Sequence, residues 1–219
     1  MAERTPDLGG LGISGERPLL IVDVDEVLGL FMAAFGRFLE TGGYEMRIDR
    51  YALFQSIFRP GAAEHLPVDE GKALFADFFR YGAADMEPTP GAAAALARLS
   101  PRADIVVLSN APQPARMARA RWLGRHGLDY PLILNNGPKG PLAAALAART
   151  AHPVAFVDDL LSQLDSVQAA APAVARFQHV ADPRLQPLAP TAPERHLRLD
   201  DWTDLGCAIG EALFTRPPS

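Results

Sequence analysis

Short, largely apolar runs recur along the chain, and the first of them ends in acidic residues. Such runs are typical of strands that are buried on both faces of a parallel sheet. Helical stretches separate them, and repeated alternation of strand and helix predicts a doubly wound (Rossmann-like), mostly parallel α/β core. The runs are residues 18–23, 103–109, 131–135, 153–159 and 174–180.

The helical stretches of this core have recognisable ends. Thr89 is expected to be an N-cap with Pro90 at the first helical position, and Pro101 should end that helix. The other predicted helices cover residues 115–125, 141–149, 160–170 and 202–214. The alanine- and leucine-rich ones should pack against the sheet.

Residues 29–88 break this alternation between the first and second strands. Their apolar positions recur with helical periodicity, and no strand is expected among them. The segment is therefore predicted to be an inserted α-helical cap subdomain, with the α/β core built from residues 18–28 and 89–219. Residues 1–17, which are rich in glycine and polar groups, are predicted to be a flexible lead-in. One predicted helical face of the insertion comprises Tyr51, Phe54, Ile57 and Phe58.

Composition and charge narrow the class of protein. Hydrophobic residues make up 48% of the 219 positions and charged residues 21%, which excludes wholesale disorder. The formal charge of −5, with no dense basic run, argues against a nucleic-acid polymer as partner. The first residues lack the apolar stretch of a signal peptide, and nowhere do about 18 apolar residues run together. Neither export nor a membrane partner is therefore expected.

The cysteine content also bears on location. The single cysteine, Cys207, cannot form an internal disulfide, so a cytoplasmic location is expected. Because no histidine flanks it, we interpret Cys207 as a small apolar core residue of the last helix and not as a nucleophile.

Two carboxylates follow the first predicted strand. Asp23 and Asp25 are two positions apart at its carboxyl end, where open parallel sheets bind their ligands. Both can serve one site if the chain turns directly after the strand. A helix cap beside a solvated acid is the alternative interpretation.

Polar residues also follow the second predicted strand. Ser109 and Asn110 offer a hydroxyl and nearby backbone N–H groups that can hold anionic oxygens. The same residues, close to Pro112, are equally typical of a plain turn.

A lysine between glycines precedes another predicted helix. The chain contains 19 arginines and only two lysines, Lys72 and Lys139. Because arginine is the usual cation of this sequence, a lysine in a glycine-rich loop indicates a need for a compact single-point cation, such as a counter-charge for phosphate. An exposed lysine in a turn is the alternative for Lys139.

Adjacent acids end a later predicted strand. The carboxylates of Asp158 and Asp159 would repel each other unless a cation joined them, and hard oxygen ligands suit Mg²⁺. Helix N-capping is the competing use of Asp159. Since all four polar groups lie at or just beyond the carboxyl ends of predicted parallel strands, we expect one crevice to collect them.

In this order, the four groups resemble the motifs of the haloacid dehalogenase superfamily. The D-x-D-x-[TV], Ser/Thr, lysine and acidic motifs correspond to residues 23–27, 109, 139 and 158–159. The resemblance spans residues 19 to about 180. It implies that the insertion is the mobile cap which that family carries between its first two motifs.

The resemblance implies a Mg²⁺-dependent phosphatase-type hydrolase acting on a small phosphorylated metabolite. Asp23 would form an aspartyl-phosphate, while Asp25 would protonate the leaving alcohol and later activate water. The implied phosphate-binding residues are Ser109, Asn110 and Lys139, and the implied metal ligands are Asp23, Asp25 (through its backbone carbonyl), Asp158 and Asp159.

Other outcomes stay open within the same superfamily. A phosphotransferase or phosphomutase would use the same groups, and so would an inactive binding protein of this fold. Asp25 disfavours dehalogenation, because a halide needs no proton. Lys72 is the only lysine in the insertion for amine-assisted phosphonate cleavage, and its charged surroundings argue against that role. Leu160 and Gln163 depart from the family pattern and put the support of the metal-binding loop in doubt.

Overall fold

The described residues, 10–215, form one six-stranded sheet and a separate two-stranded pair in this computed structural model. The strands are β1 (Leu19–Val22), β2 (Glu45–Met46), β3 (Ile57–Phe58), β4 (Asp104–Ser109), β5 (Leu132–Leu134), β6 (Val154–Asp158), β7 (Ala175–Gln178) and β8 (Leu197–Arg198). The large sheet has the order β5-β4-β1-β6-β7-β8, and every neighbouring pair is parallel. The predicted doubly wound α/β core is confirmed, with β8 as an unpredicted edge strand.

Seven α-helices occur among the described residues. They are α1 (Phe31–Thr41), α2 (Val68–Tyr81), α3 (Ala92–Leu99), α4 (Arg116–Arg125), α5 (Gly140–Ala147), α6 (Leu161–Ala170) and α7 (Trp202–Phe214). The prediction of an N-cap at Thr89 is wrong, because Gly91 has a left-handed φ of 82° and α3 begins only at Ala92. Between residues 10 and 215, no helix is both long and apolar enough to cross a membrane.

The two faces of the sheet are packed by different helices. In β1, Leu20 and Val22 belong to a cluster that includes the apolar faces of α3 and α7, whereas Leu19 and Ile21 pack with α5 and α6. All four side chains are fully buried. Because alternate residues of a strand point to opposite faces, a strand buried on both sides must be apolar throughout. This double burial fixes β1, and with it the position of the residues that follow.

The insertion between β1 and α3 contains α1, α2 and the antiparallel pair of β2 and β3. Its phenylalanines pack on one another, with ring centroids 5.3 Å apart for Phe35 and Phe78 and 5.4 Å apart for Phe31 and Phe78. The expectation that no strand occurs here is wrong, since Met46 pairs with Ile57. The predicted helical face at residues 51–58 is accordingly a short 3₁₀ turn followed by β3. That this segment moves as a cap stays a prediction.

Two smaller expectations concern the ends of the chain. Residues 1–9 of the predicted flexible lead-in lie outside the described residues, whereas Ser14 donates two hydrogen bonds to Asp104 at 2.7 and 2.8 Å. The prediction that Cys207 is a core residue is wrong, because its side chain is exposed. Helix α7 buries Leu205 and Ile209, which are four positions apart, and residue 207 falls between them on the outer face.

A buried histidine joins the end of β7 to the start of α7. The Nδ1 of His179 lies 2.8 Å from the carbonyl oxygen of Leu199, and its ring lies 5.4 Å from that of Trp202. With Nδ1 as the donor, Nε2 is buried and has no partner among the described residues. Burial lowers the pKa of His179, although the Leu199 carbonyl, Asp200 and Asp201 oppose this shift. The folded protein therefore favours the neutral ring.

Stability should consequently fall on acidification. The unfolded chain binds a proton at His179 below pH about 6.5, while the folded chain resists binding it until the pH falls through the lowered pKa. The free energy of unfolding, measured in urea between pH about 7.5 and 5.5, should therefore fall less steeply for His179→Gln than for the wild type. The exposed His152→Gln variant is the control and should keep the wild-type slope. Equal slopes for all three proteins would contradict the assignment.

Candidate active site

The ends of three neighbouring strands bring acidic and polar groups together. Asp23 follows β1, Ser109 ends β4 and Asp158 ends β6. Because β1 lies between β4 and β6 and all three are parallel, their carboxyl ends meet at one edge of the sheet. Lys139, just before α5, reaches the same edge. The predicted convergence of separate loops is therefore seen for these side chains.

A strained turn directly follows the two acids of the first strand. Glu26 has a φ of 59°, and the N–H groups of Val27 and Gly29 donate back to the carbonyl of Val24. A left-handed residue other than glycine costs about 1–2 kcal/mol, so other contacts must hold it. The Glu26 carboxylate accepts hydrogen bonds from the N–H groups of Met32 at 2.6 Å and Asp182 at 3.0 Å. Burial raises the pKa of Glu26 to about 7.

The lysine of the third motif is buried between two carboxylates. The Nζ of Lys139 lies 2.6 Å from Asp23 Oδ1 and 2.7 Å from Asp158 Oδ2, and only 2% of its side chain is exposed. Burial opposes its charge, but Asp158 and Asp23 outweigh burial and raise the pKa of Lys139. The alternative of an exposed lysine in a turn is thereby excluded.

Two contacts from α6 fix the loop that carries this lysine. Gln163 Oε1 accepts a hydrogen bond from the Lys139 N–H at 2.8 Å, and Ser166 Oγ accepts one from the Gly140 N–H at 3.0 Å. A Cβ at Gly140 would lie 2.1 Å from the carbonyl oxygen of Ser166, so only glycine allows α5 to begin here. Gln163, which departs from the family pattern, thus supports the lysine loop.

Asp25 forms an ion pair with an arginine that was not among the predicted site residues. The Nη2 of Arg119, on α4, lies 2.6 Å from Asp25 Oδ1 and 2.9 Å from Oδ2. Arg119 is itself buried, with its guanidinium carbon 5.1 Å from the centroid of the Phe79 ring. Burial raises the pKa of Asp25, although Arg119 opposes this shift. The ion pair fixes the orientation of the second acid.

Three buried carboxylates could share one cation. Ligand oxygens of Asp23, Asp158 and Asp159 all lie within 4.8 Å of one another. Burial raises the pKa of Asp158 to about 6, although Lys139 opposes this shift. The pKa of Asp159 is well above its ordinary range because of burial and the charges of Asp158 and Asp23. A divalent cation would relieve this repulsion, and a set of carboxylate oxygens fits Mg²⁺.

A tyrosine of the insertion contacts this acidic cluster directly. The hydroxyl of Tyr51 donates a hydrogen bond to Asp159 Oδ2 at 2.6 Å. Burial, followed by the charge of Asp159, raises the pKa of Tyr51, so the hydroxyl keeps its proton at neutral pH. The competing interpretation of Asp159 as a helix N-cap does not hold, because α6 has no side-chain cap. The insertion and the core thus meet at a candidate metal ligand.

The two residues of the second motif make local turn contacts. Ser109 Oγ accepts a hydrogen bond from the Ala111 N–H at 3.1 Å, and the Ser109 side chain is fully buried. The Asn110 amide donates to the Gly137 carbonyl at 2.9 Å and accepts from Asn135 at 3.0 Å. These contacts agree with the turn interpretation. A role of either residue in holding an anion stays a prediction.

A cavity of about 220 Å³ opens over these groups. The predicted site residues among those that line it are Asp23, Asp25, Asn110, Lys139 and Asp159. Ser109 and Asp158 are fully buried and do not line it. The candidate nucleophile Asp23, the buried ammonium ion of Lys139 and a carboxylate of the possible cation site therefore line one small space. Such a set can stabilise the charge of a transferring phosphoryl group.

Comparisons with known proteins bear on the fold of the chain. No protein-family model and no curated protein matches the sequence. A haloacid dehalogenase-like hydrolase from Streptococcus pneumoniae has a similar structure, with a TM-score of 0.59 and 11% identity over 90% of this chain and 100% of that chain. The chain has a haloacid dehalogenase-like fold.

Two further solved structures share this haloacid dehalogenase-like fold. The magnesium-bound hydrolase YfnB from Bacillus subtilis matches with a TM-score of 0.58 and 12% identity, over 89% of this chain and 99% of that chain. A protein from Thermotoga maritima described as a β-phosphoglucomutase matches with a TM-score of 0.54 and 17% identity, over 90% and 100% of the two chains. Identities this low show a common fold.

Proposed function

We propose that this haloacid dehalogenase-like protein is a Mg²⁺-dependent phosphomonoester hydrolase with Asp23 as its phosphoryl acceptor. The observation that supports it most is the position of Asp23. Its carboxylate lines the cavity, lies 2.6 Å from a buried ammonium ion and shares a possible cation site with Asp158 and Asp159. The proposed nucleophile, its counter-charge and the candidate metal ligands would thus act side by side.

The proposed reaction consists of two displacements. In the first, an oxygen of Asp23 bonds to phosphorus as the bond from phosphorus to the alcohol oxygen breaks, and Asp25 gives its proton to that oxygen. In the second, water attacks the phosphorus of the aspartyl-phosphate, Asp25 takes the proton of the water, and the bond to Asp23 breaks. Free phosphate leaves, and both carboxyl groups return to their starting states.

Charge is balanced by groups that are already in place. Lys139 lies beside the oxygens of Asp23 and would thus adjoin the phosphoryl group that bonds there, whose oxygens carry the negative charge of the transition state. Ser109 and Asn110 would bind the remaining phosphate oxygens after exchanging their turn contacts. A Mg²⁺ ion held by the side chains of Asp23, Asp158 and Asp159 and the Asp25 carbonyl would supply positive charge and orient the phosphoryl group.

A screen of phosphorylated small molecules tests the proposal. Phosphate release should require Mg²⁺ and should cease when the metal is chelated. Phosphoryl transfer from the loaded protein to a sugar hydroxyl in preference to water would indicate a phosphomutase instead. If no compound in a broad panel releases phosphate with any divalent metal, the proposed function is wrong.

Arg119 offers a further test through its contact with Asp25. Arg119→Met should lower kcat by about 100-fold, since small displacements of a catalytic group have effects of that order. KM should change little, because Arg119 does not line the cavity. The matched control is Arg121→Met, an exposed position on the same helix, which should keep wild-type kcat. Equal losses in both variants would show that Arg119 does not position Asp25.

A further inference from the structure

The wall of the active-site cavity above the acidic groups is apolar. The insertion contributes Phe31, Met32, Leu53 and Phe75, and the core contributes Leu160 and Leu185. These side chains surround the place that the organic group of a phosphomonoester would occupy. An apolar group that packs against this wall removes apolar surface of both from water, which favours its binding.

The polar groups in this wall are already engaged within the protein. The Tyr51 hydroxyl donates to Asp159, the Gln163 carbonyl oxygen accepts from the Lys139 backbone, and both Glu26 carboxylate oxygens accept from backbone N–H groups. A sugar buried here would lose its hydrogen bonds to water and find few replacements. Unpaired buried hydroxyls are strongly disfavoured. The wall therefore discriminates against polyhydroxylated substrates.

The charge around the cavity discriminates against a second anionic group. Lys139 is the only cationic side chain among the described residues that line it, and it is already paired with Asp23 and Asp158. Arg119 lies outside the lining and is paired with Asp25. A second phosphate or a carboxylate would face acidic side chains without a counter-charge. The substrate should thus carry one phosphate and no second anionic group.

The size of the cavity limits the organic group. Its volume of about 220 Å³ is below the roughly 300 Å³ at which pockets for drug-sized ligands begin. A single aromatic ring or a short alkyl chain would suit this space. Resting on the proposed function, we infer that the substrate is the monophosphate of a small, mainly apolar alcohol or phenol without a second anionic group.

A neighbouring groove offers the rival location for a larger substrate. It shares Phe75 and Asn110 with the cavity and also contains Gln113 and Arg116. The Arg116 guanidinium, however, donates a hydrogen bond to the Leu132 carbonyl at 3.1 Å. A preference for substrates with a second anionic group would therefore be needed to place the substrate in this groove.

Steady-state kinetics with Mg²⁺ tests the inferred substrate class. The value of kcat/KM for phenyl phosphate and n-butyl phosphate should exceed that for glucose 6-phosphate and fructose 1,6-bisphosphate by at least about 100-fold. Equal values, or a preference for the sugars, would overturn the inference. A bisphosphate preference that Arg116→Ala abolishes would place the substrate in the neighbouring groove and would also overturn it.

Calorimetric binding to Asp23→Asn separates this inference from the proposed function. If no compound is hydrolysed, the proposed function fails, but tighter binding of phenyl phosphate than of glucose 6-phosphate would still support the apolar site. Equal binding, or no binding of either compound, would overturn the inference whatever the hydrolysis assay shows.

A substitution in the wall provides an independent check. Leu53→Asn should lower kcat/KM for phenyl phosphate by about 10-fold, as expected for loss of a few apolar contacts. Inhibition by inorganic phosphate should not change, because the substitution leaves the acidic groups in place. The matched control is Leu74→Asn, a half-buried leucine of the insertion outside the cavity lining, which should keep the preference. Unchanged kinetics in Leu53→Asn would contradict contact between this wall and the substrate.

Discussion

Replacing Asp23 with asparagine should lower phosphate release by at least about 10⁴-fold, since loss of a covalent nucleophile removes the whole first displacement. Asparagine has nearly the same shape but a much weaker nucleophilic oxygen. Its neutral amide can still fill the space beside Lys139, so the fold should persist. Initial rates with phenyl phosphate and Mg²⁺ measure the loss, and circular dichroism melting checks the fold.

The exposed Asp129 provides the control for this experiment. Asp129→Asn makes the same chemical change outside the cavity lining and should retain wild-type rates. If Asp23→Asn remains folded and keeps more than about a tenth of the wild-type rate, direct attack by water would explain the reaction better than an aspartyl-phosphate.

Replacing Lys139 with methionine should affect both stability and activity. The substitution would leave Asp23 and Asp158 without the ammonium ion that lies 2.6 and 2.7 Å from them. Removing one partner from a buried ion pair lowers stability by about 3–5 kcal/mol. Activity with phenyl phosphate should fall by about 10³-fold or more, because the phosphoryl group loses a fixed counter-charge. Urea unfolding and initial rates measure the two effects.

The other lysine is a direct control for Lys139. Lys72 is exposed and forms a surface ion pair with Asp69 at 3.2 Å. Lys72→Met should change stability little, as surface ion pairs contribute little, and should leave the rates unchanged. If both substitutions lowered the free energy of unfolding by similar amounts, the buried ion pairs of Lys139 would stabilise the fold no more than a surface ion pair does.

The sequence predicted the sheet well because buried parallel strands leave a local signature. The apolar run before Asp23 and the one before Asp158 are each buried on both faces, so their composition alone identifies them. Parallel strands place their carboxyl ends together, and the grouping of Asp23, Lys139, Asp158 and Asp159 followed from this rule. Both inferences need only the composition of single segments and the rule that ligands bind at the carboxyl ends of parallel strands.

The supporting contacts could not be predicted in the same way. Arg119 is one of several arginines on α4, and only the packing of that helix shows which of them reaches Asp25. Tyr51 is far from Asp159 in the sequence, and its neighbours have a spacing that suits a helix as well as the observed turn and strand. Contacts of this kind depend on tertiary structure, which propensity does not encode.

The small errors have a common origin. The sequence around Thr89 has the composition of a helix start, but the left-handed conformation of Gly91 delays the helix until Ala92. The two-residue strand β8 is too short to give a periodic signal. Element ends and short elements are decided by local geometry and neighbouring chains, and they carry little sequence information.

Identification of the phosphorylated residue tests the central claim most directly. In Asp25→Asn, activation of water is impaired, whereas attack on an aryl phosphate with a good leaving group needs little proton donation. Incubation with such a compound and Mg²⁺, followed by acid quenching and peptide mass spectrometry, should show one added phosphoryl group on Asp23. Phosphate release with the label on another residue, or with no label at any time, would contradict the account.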